Sequence, residues 1–182
     1  MKLSDGEKLI LLMLADIYKN LKIKDPEFDP EFIKTTILDD HLWGFNWQFV
    51  GIPFEKEDSP PEVTETVDIL DMWSFLEDSY KKLNSADKKR IADEAELFGG
   101  EVKFHGFDGN HEPHYGIARY LIGHLDRFES FKGRDMNSHS RSVDAAKRML
   151  IVFEPIRAKL HSRYLSADEI IQILKARRFP KP

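Results

Sequence analysis

The chain has 182 residues, 41% of them hydrophobic and 32% charged, with a formal net charge of −5. That is about one domain of globular sequence, able to bury a core unaided and too apolar for a disordered chain. It holds no cysteine, which excludes disulfides and thiolate zinc sites and fits a reducing cytoplasm, and no run approaches the roughly 20 apolar residues of a membrane span.

Ser4-x-x-Glu7 reads as a capping box, in which the serine oxygen accepts a free amide and the glutamate reaches back to the serine amide. Leu9, Ile10, Met13, Leu14, Ile17, Tyr18 and Leu21 then recur at helical spacing, and Lys24-Asp25-Pro26 ends the helix. Asp29-Pro30 starts a second helix, with aspartate as cap and proline at the first helical position, where its missing amide costs nothing. Trp43, Phe45, Trp47 and Phe49 alternate with smaller or polar residues. This period of two predicts a short strand, which Val102–His105 would pair in a two-stranded ribbon.

The charged, proline-bearing stretch from Phe54 to Pro61 reads as a loop. Ser59-Pro60-Pro61-Glu62 repeats the capping-box logic before a long helix carrying Val63, Val67, Leu70, Leu76, Tyr80 and Leu83. A charged fourth helix from Ser85 keeps only a narrow apolar stripe of Ile91, Ala95 and Phe98 and stops at Gly99-Gly100. Phe104-His105-Gly106-Phe107-Asp108 is an aromatic–glycine–aromatic–acid turn. Its phenylalanines are expected in the core, its glycine in a conformation closed to other residues, and its aspartate as a cap or brace. A fifth helix follows, capped by Asp108 or Asn110. Residues 129–140 hold turn formers and no periodicity. A sixth helix runs from near Ser140 or Ser142, with a kink or break at Pro155. Ser166-x-x-Glu169 opens a seventh, and the tail Phe179–Pro182 cannot be helical throughout.

Several segments resemble the YfbU-like family of bacterial proteins: Glu7–Leu11, Val67–Met72, Phe104–Asp108, Arg119-Tyr120, Arg148–Leu150 and the helix start at Leu165–Leu174. Their order and spacing are more specific than any one alone. The resemblance implies an all-helical fold and carries no catalytic motif onto positions of this chain. The tryptophan-rich run at 43–49 and the histidines at 105–114 depart from the family pattern. The expected architecture is therefore all-α: one compact YfbU-like domain over residues 1–182, of about seven helices, with at most a short ribbon.

Function is less legible. Charge is divided along the chain: residues 1–70 carry a net −8 and residues 71–182 a net +3. The aromatic segment Trp43, Phe45, Trp47 and Phe49 is the candidate interaction surface, because aromatic residues are enriched at interfaces. Core packing explains the same residues equally well. Arg141, Lys147, Arg148, Arg163, Arg177 and Arg178 are the candidate grip for nucleic acid, although acids interleave with them and the chain's pI of about 5.8 is acidic.

His105, His111, His114 and His124 lie near Asp108, Glu112 and Asp126, and His111 and His114 come nearest to metal-ligand spacing. No His-Glu-x-x-His pattern is present and no metal is assigned. No glycine-rich phosphate loop, nucleophile elbow or cysteine nucleophile appears, which counts against an enzyme without excluding one. No cofactor is implied. The reading is a cytoplasmic, non-catalytic interaction or regulatory module that self-associates and binds another protein. Nucleic acid is the alternative partner, and no membrane is expected.

Overall fold

The computed structural model describes residues 2–23, 27–54, 58–95, 98–161 and 163–178. The helix stop at 24–26, part of the loop at 55–57 and the tail at 179–182 lie outside the described residues. Eight α-helices and no strand are present among the described residues, and none of these helices is long and apolar enough to cross a membrane. The chain forms two compact units, Met1–Pro60 and Pro61–Pro182.

In the first unit, α1 (Asp5–Asn20) begins at the expected capping box. The Ser4 amide donates to Glu7 Oε2 at 2.7 Å and the Glu7 amide donates back to Ser4 Oγ at 3.3 Å. Asp29 Oδ1 accepts the Glu31 amide at 3.0 Å and starts α2 (Pro30–Leu38). The two helices pack together and are joined by Lys19–Glu31 and Lys34–Asp16 ion pairs, both at 2.7 Å. Being largely exposed, these pairs set the register of the helices more than their stability.

The strand expected at 43–49 is a helix, α3 (Trp43–Gln48). The reason lies in an ambiguity of the pattern. Four aromatics spaced by two are also two pairs spaced by four, and residues at i and i+4 share a helix face. Trp43 and Trp47 meet edge-to-face at 5.3 Å, and Phe45 and Phe49 stack at 6.1 Å. Local bonds close the turns, including Gly44 N to His41 O at 2.7 Å and Phe49 N to Phe45 O at 2.9 Å. The expected partner, Val102–His105, also forms no ladder, because the Phe104 amide donates to the Glu77 carboxylate.

The second unit is built on α4 (Pro61–Lys82), whose Val63, Ile69, Leu70, Met72, Trp73 and Leu76 are buried. Its start differs from the expected capping box. Pro60 precedes the helix, and Ser59 Oγ accepts the Trp47 indole N–H at 3.3 Å. Next come α5 (Ser85–Glu94), capped by Asn84, α6 (His114–Gly123), α7 (Val143–Arg157) and α8 (Ala167–Lys175). Helices α6, α7 and α8 pack against α4, and α8 also packs against α5 and α7.

The Ser166–Glu169 capping box forms as expected, and Arg163 grips the same glutamate with two bonds of 2.7 Å. No break occurs at Pro155. Helix α7 runs two residues past it, and the carbonyl that the proline cannot serve belongs to exposed Ile151, where water can replace the lost bond. Residues 129–140 are less empty than their composition suggests. A 3-10 turn at Glu129–Phe131 buries Phe131, and Met136 is buried beyond it.

Candidate functional site

The Phe104–Asp108 turn organises the second unit. Phe104 and Phe107 are buried and meet edge-to-face at 5.1 Å. Phe104 also stacks on Trp73 at 5.5 Å and meets Phe131 at 5.8 Å. Gly106 has φ +94°, and a Cβ there would overlap the Met136 backbone, so only glycine fits. The Phe107 amide donates to Met136 O and the Ser138 amide donates to Phe107 O, both at 2.9 Å, forming an isolated parallel bridge between Phe107 and Asn137.

Two carboxylates hold this turn in place. Glu77, on α4, is buried. It accepts the Phe104 amide at 2.9 Å and an N–H from each terminal nitrogen of Arg134 at 2.8 Å, so one side chain joins a helix, the turn and the 129–140 segment. This pairing raises the Arg134 guanidinium above its ordinary value despite partial burial.

Glu112 supplies what Ser142 does not. No side-chain cap comes from Ser142, and Glu112 Oε1 accepts the amides of the N-cap Ser142 at 2.7 Å and of Val143, the first residue of α7, at 2.9 Å. Its Oε2 accepts the Asp108 amide at 2.8 Å. Burial pushes the Glu112 carboxyl up, but the bonds from Val143, Asp108 and Ser142 outweigh it and leave it below the usual glutamate range.

Asp108 does not cap α6. It accepts the Asn110 amide at 3.0 Å and sits 2.7 Å from His111 Nδ1, which braces the turn and lowers its carboxyl. His111 precedes α6, whose first residue is His114, so the two histidines do not share a helix face. Buried His114 places Nε2 2.9 Å from Glu65 Oε2, and its Nδ1 makes no hydrogen bond among the described residues. The two rings thus face different carboxylates, and no group of three or more histidine or acidic side chains that could hold a metal occurs among the described residues.

A cleft of about 590 Å³ opens beside this turn. Trp73, Phe104, Ala146 and Met149 form its buried floor. Its rim is basic, with Lys103, Arg134, Arg141, Arg177 and His105 against one carboxylate, Asp135. Hydroxyls of Ser138, Ser140 and Ser142 and the Asn137 amide complete the polar lining.

Of the six bases named from sequence, the structure brings Arg141 and Arg177 to this cleft. The others meet different partners. Lys147 pairs with Glu65 at 2.7 Å and Arg163 with Glu169. Arg148 donates to the carbonyls of Asp144, Arg177 and Arg178, and Arg178 lies over the Phe98 ring. Sequence reasoning named Arg141 but missed Lys103 and the rest of the 134–142 segment. The clustered serines and arginines of that segment were visible, but their approach to residues 103–106 depends on a long-range bridge.

In the first unit, Trp43 and Phe45 are buried, and Trp47 and Phe49 are half-buried. The larger apolar exposure is on α1. Ile10, Leu14, Ile17 and Leu21 are 58%, 53%, 51% and 66% exposed and follow one another at spacings of four, three and four. This is the spacing of a coiled-coil seam. Leu9 and Met13 widen the stripe.

These features define an all-helical protein with a basic cleft and an uncovered helix seam. The family model described as the YfbU domain matches residues 1–176, across both compact units, and the chain belongs to the YfbU family. No curated protein matches the chain.

Proposed function

We propose that this protein is a cytoplasmic, non-catalytic interaction module that acts as a homo-oligomer, two copies pairing through antiparallel α1 helices. The observation that carries this reading is the exposed seam of Ile10, Leu14, Ile17 and Leu21. Six large apolar side chains, each half or more exposed, amount to roughly 200–400 Å² per copy, using ~60–120 Å² for a whole aliphatic side chain. A contiguous apolar patch in that range reaches the size of the largest on a typical monomer and marks an interaction site. With its polar rim it approaches the roughly 800 Å² per partner of a stable interface.

A second copy suits the seam better than an unrelated helix. Antiparallel pairing sets Leu14 against Ile17 and Ile10 against Leu21 of the other copy, so that the stripe complements itself, as a two-fold interface requires. It also sets Asp5 and Glu7, in the first turn of one helix, beside the end that carries Lys22 in the other. Parallel pairing would set acid against acid. The half-buried aromatics at 43–49 offer less exposed area. The absence of cysteine suits a reducing compartment.

Multi-angle light scattering at micromolar concentration tests this reading. A dimer is expected, and the double substitution Leu14→Asp with Ile17→Asp should yield a folded monomer. A monomeric parent protein, or a dimer that survives both substitutions, would refute it.

A further inference from the structure

The basic cleft is independent of the α1 seam and suggests a different kind of partner. Two of the four cations on its rim are already compensated. Arg134 is neutralised by Glu77, and Lys103 lies 3.7 Å from Glu101. Arg141 and Arg177 have no carboxylate within ion-pair distance among the described residues. The sole acid on the rim, Asp135, accepts the Asn137 amide at 2.9 Å. Of the four cations, Arg134 and Lys103 are thus paired, whereas Arg177 has no pair among the described residues and Arg141 has only the more distant Asp108 carboxylate, which it helps to lower.

Arg177 is the more telling of the two. It is only partly exposed, and its guanidinium lies 4.9 Å from the centre of the Phe98 ring. Its guanidinium donates no hydrogen bond to another group among the described residues, so its N–H donors are available. Arg148 donates to the Arg177 carbonyl at 2.7 Å and so fixes the backbone beneath it. Burial alone lowers Arg177 from its ordinary value, with no neighbouring carboxylate to offset it. An arriving anion would supply that missing charge.

We propose that this cleft binds a small phosphorylated ligand, with Arg141 and Arg177 on the phosphoryl oxygens. A volume of 590 Å³ lies within the roughly 300–1,000 Å³ range of small-ligand pockets. Guanidinium groups match phosphoryl oxygens in geometry as well as charge. A small ligand is favoured over a nucleic-acid strand because the unpaired cations converge on a cleft and the remaining candidate bases are engaged elsewhere.

Titration calorimetry with inorganic pyrophosphate tests the proposal, using the full chain at low salt. Binding is expected, weakening as salt rises. Arg141→Gln and Arg177→Gln should each weaken it by about tenfold or more. Arg141 is exposed, so its substitution should leave thermal melting unchanged even if Arg177→Gln disturbs the fold. No binding at millimolar pyrophosphate, or binding indifferent to Arg141→Gln, would overturn the proposal. So would a single-stranded oligonucleotide that binds more tightly than pyrophosphate and is lost with the same substitutions, since the ligand would then be a polymer.

Discussion

Residues 61–182 bury nearly all the large apolar side chains they contribute, whereas residues 1–60 leave many in water. Among the described residues, thirteen large hydrophobic side chains are exposed and eleven of them belong to the first unit; only Ile151 and Tyr164 belong to the second. The first unit's buried apolar residues are few: Ala15, Phe32, Ile37, Trp43 and Phe45. Size accounts for part of this contrast, because a 60-residue unit buries only about 60% of the surface its unfolded chain exposes. Patterning accounts for the rest. Ile10, Leu14, Ile17 and Leu21 are each half or more exposed, yet they form an ordered seam. The second unit shows the opposite economy, with buried polar groups such as Glu77, Asp108 and Ser79 given specific partners.

Substitutions should separate the two units by the size of their effect on stability. The largest should follow Glu77→Ala, which leaves Arg134 unpaired and the Phe104 amide unserved. Breaking such a buried pair costs about 3–5 kcal/mol, measurable by urea unfolding. Glu112→Ala comes next. It strips three amides of one acceptor, for a loss of about 2–4 kcal/mol at about 1–3 kcal/mol per unsatisfied buried donor, discounted for water reaching some of them. Gly106→Ala should cost at least about 1–3 kcal/mol through backbone strain, more if Met136 cannot move aside.

These sites also mark where sequence reading succeeds and fails. Local signals were legible. The Ser4–Glu7 and Ser166–Glu169 boxes, the Asp29–Pro30 start and the roles of Phe104, Gly106 and Phe107 depend on neighbours within a few residues. The 43–49 segment failed because i, i+2 spacing contains i, i+4 spacing, and only tertiary context chooses between them. Glu112 as the cap of α7 was invisible because its amides lie 30 and 31 residues away. For the same reason the basic residues read as a linear grip. Nothing local indicates that Arg148 serves carbonyls while Arg141 and Arg177 reach a common cleft. The α1 stripe was legible as apolar, but a sequence pattern cannot say which apolar positions remain uncovered.

A smaller effect in the second unit is set by pH. Arg163 and Ser166 hold the Glu169 carboxyl at about 2, below its ordinary value of 4.5. A depressed folded-state value means that the contribution is complete above pH 4.5 and disappears as pH falls toward 2. Acid melting of the parent protein should therefore show a loss that Glu169→Gln lacks, and Glu169→Gln should itself cost about 1 kcal/mol at neutral pH as a weakened cap. The smallest change in stability should come from the first unit. Ile10→Ser, measured by thermal melting at concentrations too low for pairing, should shift stability by no more than about 0.5 kcal/mol, as for any exposed site. A loss comparable to that of Glu77→Ala would erase the contrast between the units.

Disulfide trapping tests the central claim most directly, because the chain has no cysteine of its own. In antiparallel pairing, position 10 faces position 21 of the other copy, and two copies of position 10 stand about 16 Å apart at 1.5 Å rise per residue. Ile10→Cys mixed with Leu21→Cys should therefore cross-link rapidly on mild oxidation, while either variant alone should not. Cross-linking of Ile10→Cys to itself, or no cross-link in the mixture, would contradict an antiparallel α1 interface.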